Sequence, residues 1–304
     1  MDLTTHLRKD VRLLMTDPLF IVLLVALAGI AFIIALITSA GYVNGMTYGN
    51  DVVTQAFLEM EQRKVLASYW GGIAGIFMAI FIVVAAMAMT GEKESGMVRY
   101  VLTYRTSKLW FYVSKYIVLL SVVLMAMVIA LAAYLLVFSF MDIPMLDLGT
   151  LAASMVFPLL IAMVFAAIGL AMSTMSDKKA GAIVASVGIF LILSSLSSIS
   201  IGLGVSAGYD ANPDATMENV TAYIPLEYKV LIYANPMVLG YGTELMLGTA
   251  DSDYSMYPEL FDPGWGAVLG LAMVLGWFAI GLASFSRERM DKSWLTRMRG
   301  RVKR

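Results

Sequence analysis

Six long apolar runs, charged only at Lys115 near the start of the third, dominate this chain: Leu19 to about Ala40, Gly71 to Thr90, about Trp110 to Phe140, Leu151 to Met175, Ala180 to about Val205, and Gly264 to Phe285. Each is long enough to cross a bilayer. In hydrocarbon every backbone N–H and C=O must find its partner inside the protein, and a single segment achieves that only as a helix. The fold class expected is therefore an all-α membrane protein with six transmembrane helices, built as one domain over 1–304. Composition agrees: 60% hydrophobic and 14% charged residues, with a mean hydropathy of +0.81, lie far outside soluble averages.

The charges are segregated. All 21 Lys and Arg residues except Arg63, Lys64 and Lys229 fall in the N-terminus, the 91–116 region, the Ser176-Asp177-Lys178-Lys179 turn and the tail from Arg287. The positive-inside rule then puts both termini in the cytoplasm and the loops 41–70, 141–150 and 206–263 outside. Residues 1–18 carry Leu3, Leu7, Val11 and Leu14 on one stripe, with Arg8, Lys9 and Arg12 on the other side. That pattern predicts an interfacial amphipathic helix, ended at the Asp17-Pro18 step. It lacks the apolar core and cleavage site of a signal peptide. The basic tail suits contact with anionic lipid headgroups, and it has no aromatic platform or fold for nucleic acid.

The most structured loop runs from Thr90 to Trp110. Met97, Val98, Val101 and Leu102 recur at helical spacing, with Ser95, Arg99 and Thr103 on another face, and Glu92 and Glu94 are expected at the positive N-terminal end of that helix. Thr106-Ser107 offers the cap of a second helix, running through Phe111, Tyr112 and Lys115 into the third span.

A glycine, an acidic-basic-acidic triplet, Ser-Gly, a hydrophobic run with Arg99, then Ser107-Lys108 and Lys115 entering a span resembles the cytoplasmic coupling loop of type-2 ABC transporter permeases. Arg105 stands where the family often has proline, and Gly96-Met97-Val98 where it often has Gly-Thr-Leu. The resemblance implies that residues 91–109 dock on a separate ATP-hydrolysing subunit, present in two copies and carrying the ATP and Mg. This chain itself would bind no cofactor. Glu92, Glu94 and Arg99 would touch that ATPase, and Met97, Val101 and Leu102 would seat the helix. A second permease copy or a paralogue would complete the assembly, in the plasma membrane.

The 206–263 loop is rich in Tyr, Pro, Asp and Glu. Asn235-Pro236-Met237 predicts a helix through Leu247, with Glu244 on its polar side. The resemblance implies a partly re-entrant outer helix. A helix resting at the interface with Tyr241 as an anchor is the other reading. A helix around Val52 to Leu66 is expected in the first outer loop, a simple turn in the second, and a kink at Pro158 in the fourth span. In the fifth span Ser194, Ser195, Ser197, Ser198 and Ser200 form a hydroxyl patch, which either packs against a neighbouring helix or lines a pathway.

Several chemistries are absent from the sequence. It contains no phosphate loop for ATP, no cysteine, and a single histidine, His6, so zinc and thiolate sites have no ligand set. The spans hold no ionisable group at depth, where ion-coupled carriers usually keep one. Energy is therefore expected from outside the membrane layer; the resemblance implies export, and the apolar spans suit a hydrophobic or amphipathic substrate. Two rivals remain: a permease that transmits force to an extracytoplasmic protein, and a stand-alone secondary transporter or channel.

Overall fold

The computed structural model describes residues 3–16, 18–48, 55–98, 107–216, 219–249 and 262–287. Among them the structure is helical, with no strand. Helix α1 spans Leu3–Thr16 and α2 Pro18–Tyr48; α3 is Gln55–Glu94 and α4 Lys108–Phe140. The short α5, Leu148–Ser154, leads into α6, Val156–Met175, and α7 is Lys179–Ala211. Then come α8, Val220–Tyr223, α9, Leu226–Tyr233, a 3₁₀ turn over Pro236–Gly240, α10, Tyr241–Met246, and α11, Pro263–Arg287. Six segments among these are long and apolar enough to cross a membrane.

The core forms around α6, the most enclosed of the six. It lies between α3 and α11, with α2 paired to α4 and α7 set against α3. Gly169 explains how closely α6 approaches α3, because a Cβ there would fall 2.3 Å from the Ile82 carbonyl oxygen. Only a missing side chain lets the two backbones meet, as in other small-residue contacts between membrane helices. One turn on, the Ser173 hydroxyl accepts from Met89 N–H at 2.9 Å and Thr90 N–H at 3.1 Å, which pins the end of α3 to α6.

Three local expectations change. The outer helix foreseen around Val52 to Leu66 has its first residues, 52–54, outside the described residues, and from Gln55 on it is the beginning of α3, a single 40-residue helix that at 1.5 Å per residue runs about 60 Å. The second outer loop is more than a turn: the Asp147 carboxylate caps α5, accepting from Thr150 N–H at 3.0 Å and from the Thr150 hydroxyl. Pro158 does not kink the middle of a span. The break lies at Met155, ahead of α6, and Pro158 sits in the first turn of the new helix, where its missing N–H has no intrahelical partner to lose.

The segment after α7 turns back along it. Val220 meets Gly208, Ile232 and Ile224 meet Gly204, and the Asn235 side-chain amide donates to the Leu193 carbonyl at 2.7 Å. Leu193 lies roughly 21 Å along α7 from its start, at 1.5 Å per residue, so Asn235 reaches a point near the middle of α7. Chain direction then reverses through the 3₁₀ turn and α10, whose Gly242 seats on the Phe157 ring.

Candidate functional site

The end of α3 carries Glu92, Lys93 and Glu94 in succession, and each grips a different element. Glu92 Oε1 accepts from Lys115 Nζ at 2.7 Å and from Lys9 Nζ at 3.2 Å. Lys115 also donates to Asp10 Oδ1 at 2.7 Å, and Ser114 donates its hydroxyl to Asp10 Oδ2 at 3.1 Å. Two acids and two bases thus tie α1, α3 and α4 together, with Asp10 and Lys115 both buried. The Lys115 ammonium stands 5.4 Å from the centre of the Phe111 ring, a cation–π distance.

Lys93 Nζ donates to the Thr174 carbonyl at 2.7 Å, in the last turn of α6. A cation there satisfies a helix-end carbonyl and opposes the negative end of the macrodipole. Glu94 Oε1 accepts from Lys179 N–H at 2.6 Å, at the first residue of α7. Across the loop, Lys108 Nζ donates to the Phe285 and Ser286 carbonyls at 3.4 and 3.0 Å, at the end of α11. Every membrane-length helix that ends here, apart from α2, is bonded to a residue flanking one loop.

Glu92 and Glu94 close the last turn of α3 and do not open the next helix, which corrects the placement expected above. The cause is Gly96, whose φ of +74° ends α3 with its N–H on the Lys93 carbonyl at 3.0 Å, so helix resumes only at Met97 and Val98. Met97 is exposed and Val98 buried. Arg99, Val101 and Leu102 lie outside the described residues.

The chain matches the ABC-2 family transporter protein over residues 5–290. It belongs to that family. No curated protein matches it. Membership makes this ABC-2 protein a multi-pass membrane component of an ABC transporter rather than the catalytic unit.

Farther along α7 in this ABC-2 protein, Asn235 both caps the 3₁₀ turn, its Oδ1 accepting from Met237 N–H at 3.0 Å, and holds α7 through Leu193. Pro236 is buried beside it. Glu244 is half-buried on α10, and burial pushes its carboxyl above the ordinary glutamate value. Ser194, Ser195 and Ser198 are exposed on α7 and Ser197 partly so, while Ser200 is buried and donates to the Ser197 carbonyl at 3.0 Å. Among the described residues, Ser200 alone of the five serines is packed within the chain. Asp10, Lys9 and Lys115 were not singled out as partners of Glu92, and nothing in the spacing of α1 and α4 connects them.

Proposed function

We propose that this chain is the membrane-spanning half of an ATP-driven exporter, docked on two separate ATPase subunits and paired with a second copy or a paralogue. The observation that carries the proposal is the Glu92-Lys93-Glu94 triplet, which links the root of one loop to α1, α4, α6 and α7. A push on that loop would reach the helices without passing through a flexible connector. Glu92 and Glu94 serve as roots beneath the docking face, and Met97, Arg99, Val101 and Leu102 form the face itself. The basic end is cytoplasmic, both termini with it, and the membrane is the plasma membrane. Substrate is hydrophobic or amphipathic, and the exposed serines Ser194, Ser195 and Ser198 with Ser197 face the pathway, partner copy opposite. The returning segment at Asn235, Pro236 and Glu244 lies at its outer mouth.

A second reading, force on an extracytoplasmic protein, draws on the length of α3. Its roughly 60 Å exceeds the hydrocarbon core of about 30 Å, and the overhang exposes Phe57 and Met60. The two readings share the ATPase. Purification in a mild detergent, with mass spectrometry of what accompanies the chain, is expected to recover an ATPase with a phosphate loop. Met97→Asp with Arg99→Glu should release that ATPase while the chain stays inserted. Recovery of the chain alone in several mild detergents would overturn the proposal in favour of a carrier or channel.

A further inference from the structure

Two kinds of joint meet at the basic end. The first is enclosed: Asp10, Lys115 and Glu92 keep side-chain exposures of only 4%, 8% and 12%. Parting them would strand buried charges, which is among the costlier events in a folded protein. Helix α1, the end of α3 and the start of α4 therefore move as one body.

The second joint is open to solvent. Helix α7 has no side-chain cap of its own, since Lys178 occupies the cap position and carries no acceptor. Its first N–H is taken instead by Glu94, a residue 85 positions earlier and exposed. Beside that bond the Lys179 stem rests on Gly91, where a Cβ would lie 3.0 Å from Lys179 Cε. Elsewhere α7 is the least enclosed of the six spans, and no side chain between Ser186 and Ser200 is buried. Its far half is fixed to the returning segment through Gly204 and Gly208, and its middle through Leu193. A stiff helix of 33 residues is thus held by the returning segment at one end, and at the other by the burial of Ala182 and Ser186 together with the exposed Glu94 bond.

We propose that Glu94 is a positioning residue that latches α7 to the coupling element, and that α7 is the span released when the ATPase moves that element. Because its far half carries the returning segment, release at the basic end displaces Asn235 and its turn as well. This rests on the coupling reading above. The alternative role for Glu94 is that of a cap, stabilising α7 and nothing more.

The chain has no cysteine, so labelled pairs can be placed cleanly. Ser95 and Asp177 are exposed and flank the latch without joining it, and Arg8 is exposed on α1. Spin labels on S95C/D177C and on R8C/S95C would be compared by pulsed dipolar spectroscopy in the complex purified with its native ATPase. With a non-hydrolysable ATP analogue the first distance should lengthen and the second stay fixed. A common change in both pairs, or no change in either with the ATPase bound, overturns the latch. The second variant is Glu94→Ala with Lys178→Asp, which gives α7 a cap of its own. A latch predicts wild-type melting with the S95C/D177C distance already long without nucleotide. A cap predicts the short, wild-type distance, which also overturns the latch. If no ATPase accompanies the unmutated chain, the coupling reading falls and takes the latch with it; an ATPase bound to an unresponsive pair removes the latch alone.

Discussion

Lys115 is a single ammonium shared by two carboxylates in a buried setting, with Asp10 and Glu92 each 2.7 Å away. Lys115→Met removes the cation and leaves both acids enclosed, so it should cost about 3–5 kcal/mol. The measurement is thermal unfolding in detergent, with Lys115→Arg retaining part of the loss; an unchanged melting temperature in the Met variant would show that the cluster contributes nothing. Tyr112 offers a sharper steric test. Its hydroxyl is buried without a hydrogen-bond partner among the described residues, and a Cβ on Gly281 would lie 2.1 Å from it and 3.0 Å from Ala171 Cα. Gly281→Ala should therefore destabilise by about 1–3 kcal/mol through overpacking, and adding Tyr112→Phe should recover part of that. Tyr112→Phe alone should be neutral or stabilising, because it removes a polar atom that has no partner. Glu244 sets a pH dependence. Burial raises its carboxyl pKa in the folded chain, so the folded state binds the proton more tightly than the unfolded one. Its contribution is then greatest below the ordinary glutamate value and falls as pH rises through the raised one. Glu244→Gln should flatten that slope in melting temperature against pH, and a slope that persists would assign it to another group.

The returning segment shows what an element-scale contact adds. Asn235 caps one helix and bonds a carbonyl of another, so Asn235→Ala should lower stability by about 1–3 kcal/mol. Asn235→Asp keeps the cap acceptor yet loses the donor to Leu193 and buries a charge, so it should be worse than alanine. Melting temperatures in the order Asn, Ala, Asp would support the double role; Asp equal to Asn would refute it. The spans were readable from sequence because hydrocarbon leaves the backbone no alternative to helix, and residues such as Val118, Val122 and Phe165 need only be apolar to comply. Element ends were less readable. Glu59, Glu61, Arg63 and Lys64 were expected in a separate short outer helix, yet they continue into the span as α3, helped by the Lys64–Glu61 pair at 2.6 Å and by the burial of Leu66, Tyr69 and Trp70. Although it closes α3 where it was expected to open the next helix, the acidic-basic-acidic triplet was legible as a charged break between two spans. That Lys93 would take a carbonyl on α6 and Glu94 an N–H on α7 was not, because separations of 81 and 85 residues leave no periodic trace.

At the scale of the whole molecule, the charge segregation and the path of the returning segment make one joint prediction about membrane placement. Basic residues collect at the end that holds Ser95 and Asp177, and Asp214 lies beyond the other end of α7. Ala234 is exposed as well, but it sits beside Asn235, whose amide reaches Leu193 roughly 21 Å along α7, inside a hydrocarbon core about 30 Å thick. Single cysteines at these four positions face no native background, since the chain has none. A charged maleimide needs a hydrated thiolate to react. Applied to intact cells it should therefore label D214C and neither S95C nor D177C, and opening the membrane should expose the latter two. A234C should resist in both conditions while remaining reactive in denaturant. Labelling of S95C and D177C from outside would invert the topology and put the 91–109 loop on the side away from the proposed ATPase. Ready labelling of A234C in intact cells would leave the topology standing and instead make the turn at Asn235 line a water-filled space, which places hydrated substrate passage, rather than lipid, against that face.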